Sequence, residues 1–170
     1  MRYLDTCSIL LLVNRTDSLR TELGIRSRKN GDALVRREHG RFVAPVPALG
    51  EVVQMLHLKC GRNDESEAHS ELMRMMRSGF MEPRYIRDGE NALMLARHLV
   101  ADNGHDDRDN VSAMDALVTA TAAVDPECDM LYTTDNELRR NERVLETVQD
   151  WRYGMGYRMM KIQTLDNILN

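Results

Sequence analysis

The sequence predicts an α/β fold: a three-layer α/β/α sandwich around a central parallel sheet, Rossmann-like in layout, with residues 1–170 forming one domain. Two observations predict it. Short apolar runs alternate with helix-like segments, and their connections are short, which is the pattern of strands covered by helices on both faces. The chain also has the means to bury a core, since 170 residues with 42% hydrophobic and 29% charged side chains are ordinary for a globular domain.

Residues 2–5 read as a short strand that runs into an apolar helix over 6–13. A second helix is expected over 17–24, where Leu19 and Leu23 are four apart on one face. The stretch 26–41 is charged, carries Gly31 and Gly40, and reads as a loop with a frayed helix. An apolar strand over 42–46 follows. Pro47 then suits the first position of a helix that runs to residue 59 and is stopped by Gly61. Residues 65–77 are expected to be helical, with Leu72, Met73 and Met76 on one side. Pro83 confines any strand over 80–86 to a sheet edge, because proline cannot donate to a ladder.

The next helix, 89–101, is marked by Leu93, Leu95, Ala96, Leu99 and Val100. A polar loop over 102–110 leads to an Ala/Thr/Val-rich helix over 112–124 and a buried strand over 130–133. A helix over 136–149 and a last strand over 159–163 complete the pattern.

Composition narrows the function classes. A membrane span needs about 20 consecutive apolar residues, and the run 9–13 is too short for that or for a signal-peptide core, so a cytoplasmic location is expected. Cys7, Cys60 and Cys128 are odd in number and far apart, which argues against a disulfide framework or structural zinc and for small partly buried thiols. The net charge of −4 supplies no global field for nucleic acid. The cations are nevertheless almost all Arg, with Lys only at positions 29, 59 and 161, and Arg is the better bidentate partner of phosphate. Local groups fall at Arg26, Arg28 and Lys29, at Arg36 and Arg37, and at Arg139, Arg140 and Arg143; each also reads as a solvated surface.

Four acids stand out. Asp5, Glu51, Asp115 and Asp135 each lie where apolar sequence gives way to a helix. In an open parallel sheet, groups just past the carboxyl ends of the strands line one crevice near the switch in strand order, so all four can face the same point. Each also has a local explanation. Asp5 and Asp135 suit N-caps, Ser112-x-x-Asp115 resembles a capping box, and Glu51 suits the positive end of a helix. Taken together they exceed what capping predicts. A carboxylate among Ala48, Leu49, Gly50, Val52 and Val53 is costly to bury without a cation.

These segments, in this order, resemble the PIN-domain nucleases, especially the VapC-type toxins, over nearly the whole chain. The carrying motifs are LDTCSIL, the Glu in PALGEVVQML, DALVTATA and the TTD that ends a strand. The resemblance implies that Asp5, Glu51, Asp115 and Asp135 are catalytic and bind one or two Mg²⁺ or Mn²⁺ ions. Thr133 matches the family's hydroxyl residue two before the last acid. Ser8 is the substitute hydroxyl where Cys7 replaces the usual Ser or Asn. The extra acids Asp106, Asp107 and Asp109 are harder to align and read as a solvated loop.

The implied activity is hydrolysis of phosphodiester bonds in single-stranded RNA, with Asp5 and Asp115 as central ligands. The implied partners are the RNA substrate, a small antitoxin that blocks the site, and a second copy in a homodimer, with no membrane involved. Two alternatives stay open: a free-standing RNA-processing nuclease of the same family, and a non-catalytic scaffold or binding module. A nucleotide-binding domain is disfavoured because DTCSIL has neither GxGxxG nor a GKS/GKT cradle. The five histidines are dispersed, and His57 and His98 are expected on helix surfaces.

Overall fold

A computed structural model describes residues 1–13, 42–101 and 111–165, so the expectations for 17–24, 26–41 and 102–110 lie outside the described residues. Within them the elements are β1 (Arg2–Leu4), α1 (Thr6–Val13), β2 (Phe42–Pro45), α2 (Val46–Lys59), α3 (Arg62–Arg77), β3 (Met81–Arg84), α4 (Gly89–Ala101), α5 (Ala113–Ala123), β4 (Met130–Thr133), α6 (Asn136–Arg140), α7 (Glu142–Gly154) and β5 (Lys161–Thr164). The five strands form one sheet in the order β3-β2-β1-β4-β5, and every pairing is parallel. The architecture is the three-layer α/β/α sandwich expected from the sequence.

The strand order explains the layers. From β1 the chain steps outward to β2 and β3, then crosses back and continues outward on the other side through β4 and β5. Parallel crossovers keep one hand, so reversing the direction of travel moves the helices to the opposite face. Side chains alternate accordingly. Leu4, Phe42, Ala44 and Tyr132 join α1, α2 and α3 in one core, while Tyr3, Val43, Leu131 and Ile162 join α4, α5, α6 and α7 in the other. The run Ile9 to Val13 is buried throughout, as part of the first core. Pro83 sits on β3, at the sheet edge where proline is tolerated.

Several boundaries and faces differ from expectation. The helix expected over 136–149 is two helices. Asn141 is extended (φ −72°, ψ 98°), and its Oδ1 accepts the Val144 N–H at 3.1 Å. Asn gains more as an N-cap than inside a helix, so it breaks the run and lets α7 continue to Gly154. Gly61 ends one helix and also stands at the N-cap of α3, which therefore starts at Arg62. On α3 the buried stripe is Ala68, Glu71, Leu72 and Met75, whereas Met73 is 46% exposed. Glu71 concealed this phase, because a buried acid interrupts the apolar stripe; its ion pair with Arg74 helps to offset the burial of its charge. On α4, Leu93 and Val100 face outward and Ala92 takes the inward position. The last strand is shifted to 161–164.

One buried cation ties the second core together. Arg152, near the end of α7, is fully buried and donates to four carbonyls: Ala123 at 2.8 Å, Asp125 at 3.0 Å, Cys128 at 2.9 Å and Arg158 at 2.6 Å. Two of these lie at the end of α5 and just beyond it, where helical carbonyls lack intrahelical partners. Nearby, Asp125 is buried and accepts from the Tyr3 hydroxyl at 2.5 Å and the Glu127 N–H at 2.9 Å. Asp125 also lies 3.7 Å from Arg84 and 3.4 Å from Arg87.

Replacing Arg152 with Met keeps the bulk but orphans these buried carbonyls, at about 1–3 kcal/mol each before relaxation. Urea denaturation should show Arg152→Met destabilised by at least about 3 kcal/mol, with Arg152→Lys recovering only part because it lacks the planar fork. A loss below about 1 kcal/mol would show that the clamp is not structural.

Candidate functional site

The reversal in strand order falls at β1 and β4, and the crevice outside their carboxyl ends is where such sheets bind ligands. Asp5 leaves β1 at this point. Its N–H donates to the Tyr132 carbonyl at 3.0 Å, and its Oδ1 accepts the Ser8 N–H at 2.7 Å in the geometry of an N-cap for α1. Ser8 is itself buried and donates its hydroxyl to the same Tyr132 carbonyl at 2.9 Å. Thr133, at the end of β4, is fully buried; its hydroxyl accepts the Asp135 N–H at 2.8 Å and also bonds the Asp5 carboxylate. Both hydroxyls named from the sequence therefore brace the seam between β1 and β4.

The other acids arrive from three helices. Asp135 caps α6, accepting the Glu137 N–H at 2.7 Å. Asp115 lies in the first turn of α5, between Met114, packed against the first core, and Ala116, buried in the second. The Ser112 hydroxyl accepts the Asp115 N–H at 3.0 Å and donates to its carboxylate at 2.6 Å. Glu51, half-buried on α2 beside Val52, accepts the Thr6 hydroxyl at 2.5 Å. The local roles weighed from the sequence are thus present for Asp5, Asp115 and Asp135, and Glu51 is tied to the turn that follows Asp5.

Electrostatics links these positions. Asp5 is 3% exposed, and burial pushes its carboxyl up to about 6. Hydrogen bonds from Thr133 and Ser8 oppose that rise, and the negative charge of Asp115 adds to it. Burial also raises Asp115, against the Ser112 hydrogen bond and with the charge of Asp135. Cys7 reports on all four: its thiol is pushed up to about 12, first by burial and then by Asp5, Asp115, Asp135 and Glu51. One half-buried thiol thus feels the carboxylates of all four expected positions.

Their fit to a divalent ion is one of donor chemistry. Carboxylate and hydroxyl oxygens suit Mg²⁺ or Mn²⁺, and a buried carboxyl raised by desolvation is one that a nearby cation would return to its charged form. Among the described residues, however, no three His, Cys, Asp or Glu side chains stand close enough to share one ion. Glu51, Asp115 and Asp135 would have to turn from their present hydroxyl and backbone partners to do so. Asp106, Asp107 and Asp109 lie outside the described residues.

Two contributors were not assigned from the sequence. Thr6 holds Glu51, and the signal was its place directly after Asp5 at the start of α1. Cys7 lies between Thr6 and Ser8 on α1, and its thiol is raised first by burial and then by the four acids. His57 and His98 are exposed on helices, as expected, and the three cysteines are free. No protein-family model matches the chain, and it matches neither a curated protein nor a solved structure.

The raised Asp5 carboxyl sets a pH dependence. The folded protein holds this proton more tightly than the unfolded chain, so its stabilising contribution is complete below about pH 4 and is lost as pH rises through 6. A shift from 3.8 to about 6 corresponds to about 3 kcal/mol. In buffer without divalent ions, the stability of Asp5→Asn relative to wild type should therefore improve by roughly that amount between pH 4 and pH 8. Urea melts of both proteins at the two pH values measure it. An unchanged difference would mean that the Asp5 charge is not buried.

Proposed function

We propose that the protein is a metal-dependent endoribonuclease of the PIN-domain type, hydrolysing phosphodiester bonds in single-stranded RNA. What supports this reading is the placement of Asp5 and Asp135 past the ends of β1 and β4 at the switch point of a parallel sheet, with Asp115 in the first turn of α5 and Glu51 bonded to Thr6 beside Asp5. Like charges are gathered there only at a cost, which a cation offsets. These residues would hold Mg²⁺ or Mn²⁺, which would supply charge to polarise a phosphodiester and to lower the pKa of a water.

The chain's own groups divide the remaining work. Asp5 and Asp115, both raised by burial, would hold the ion. Glu51 and Asp135 are less buried, and they orient the attacking water or complete the ligand set. Thr133 and Ser8 keep the Asp5 carboxylate in one orientation through bonds that do not depend on the ion. Single-stranded RNA fits better than duplex DNA, because an exposed strand can enter a narrow crevice. On this reading the partners are the RNA, a small antitoxin with a basic side chain for the acidic pocket, and a second copy of the chain, all in the cytoplasm. Among the described residues no helix is long and apolar enough to cross a membrane.

A second reading is a non-catalytic PIN-like scaffold or binding module. It is favoured by the cap and hydroxyl partners that already engage the four acids. The two readings separate in one assay. A panel of single-stranded RNAs is incubated with wild type or Asp115→Asn, in Mg²⁺, Mn²⁺ or chelator. The nuclease reading expects cleavage that chelator abolishes and that Asp115→Asn lowers by about 100-fold or more. Equal rates for the two proteins, or cleavage indifferent to chelator, would exclude it.

A further inference from the structure

The arginine group after Asp135 contains one cation whose environment differs from the rest. Arg139 lies in α6, which packs at the carboxyl end of β4 and against β5, on the same side of the sheet as the acids. Its backbone N–H donates to the Asp135 carbonyl at 3.2 Å. The guanidinium folds back along the helix, and Nη2 donates to Asn136 Oδ1 at 3.0 Å, at the start of α6. Its Nε is buried and has no acceptor among the described residues. It makes no ion pair there either. Arg139 as a whole is half-buried, whereas Arg152, whose guanidinium is fully buried, satisfies every nitrogen. A buried polar group without a partner calls for an explanation, and a guanidinium with donors to spare is shaped for two oxygens of one anion.

We infer that Arg139 is a substrate-positioning residue that seats a backbone phosphate of single-stranded RNA at the β4–β5 side of the acidic crevice. The inference rests on the ribonuclease reading above and deepens it. A chain of net charge −4 with acids at this end of its sheet repels a polyanion, so the substrate needs a local cation there. Arg139, half-buried at the carboxyl end of β4, has no ion pair among the described residues, whereas Arg140 is exposed. RNA then enters across the start of α6, with the scissile phosphate over Asp5 and Asp115 and a flanking phosphate on Arg139.

The test uses the full chain with Mn²⁺ and a fluorescent single-stranded RNA of mixed sequence. Cleavage by wild type, Arg139→Gln, Arg139→Lys and Arg140→Gln is followed over a range of salt concentrations. Arg139→Gln should raise KM by about 10-fold with kcat within about threefold, the signature of lost binding shared by ground and transition states. The slope of log KM against log salt should fall by about 0.7, the value for one phosphate contact on a single strand. Arg139→Lys should restore the slope but only part of KM, and Arg140→Gln should match wild type.

Wild-type KM and salt slope in Arg139→Gln, while the parent cleaves, would overturn the inference and leave the ribonuclease reading intact. A loss of kcat and melting temperature with the salt slope unchanged would also overturn it, by making Arg139 structural. If wild type cleaves no RNA under any metal condition, the ribonuclease reading fails and this inference fails with it.

Discussion

The seam between β1 and β4 is the constraint on which the site depends. β1 is the central strand, paired in parallel on both sides, and the chain changes its direction of travel around it. At the end of the seam the Tyr132 carbonyl accepts both the Asp5 N–H and the Ser8 hydroxyl, while Thr133 joins the Asp5 carboxylate to the Asp135 backbone. Two strands and the starts of two helices are thereby locked together within a few residues. The cost is a carboxylate buried to 3% exposure, raised further by the charge of Asp115.

Capping and ion binding draw on the same physics here. A helix start offers free N–H groups and a positive dipole end, so an acid there is stabilised as an anion without any metal. Asp5, Asp115 and Asp135 all use this, and Glu51 borrows the Thr6 hydroxyl instead. An N-cap contributes about 1 kcal/mol, whereas charging Asp5 in its buried setting costs more than that. Capping therefore accounts for where each acid sits but not for why a buried one is accepted. The residual cost is what a cation at the crevice would remove.

Much of this was legible in the sequence because its signals are local. Alternating apolar runs and helix starts specified the layers, Pro83 marked an edge strand, and the acids at helix starts marked one end of the sheet. The features that escaped depend on side chains distant in sequence. Arg152 reads as a surface charge on an amphipathic helix until α5 and the following loop present it with carbonyls. Glu71 interrupts the apolar stripe of α3, so Met73 seemed to belong where Met75 lies. Asn141 carried its own local signal, a cap residue inside a helical pattern, and it was outweighed by the periodicity around it. In the site, the acids and both hydroxyls could be named beforehand, but the acidic field at Cys7 and the unpartnered donor of Arg139 emerge only from packing.

The most direct measurement is a thermal titration with Mn²⁺ at pH 7, comparing wild type with Asp5→Asn and Asp115→Asn. An ion held only by the folded state raises the melting temperature with concentration. A shared carboxylate site predicts a saturable rise for wild type at up to millimolar Mn²⁺, abolished in both variants. No rise in wild type, or the same rise in all three proteins, would contradict a common cation site and leave the four acids with their local cap and hydroxyl partners alone.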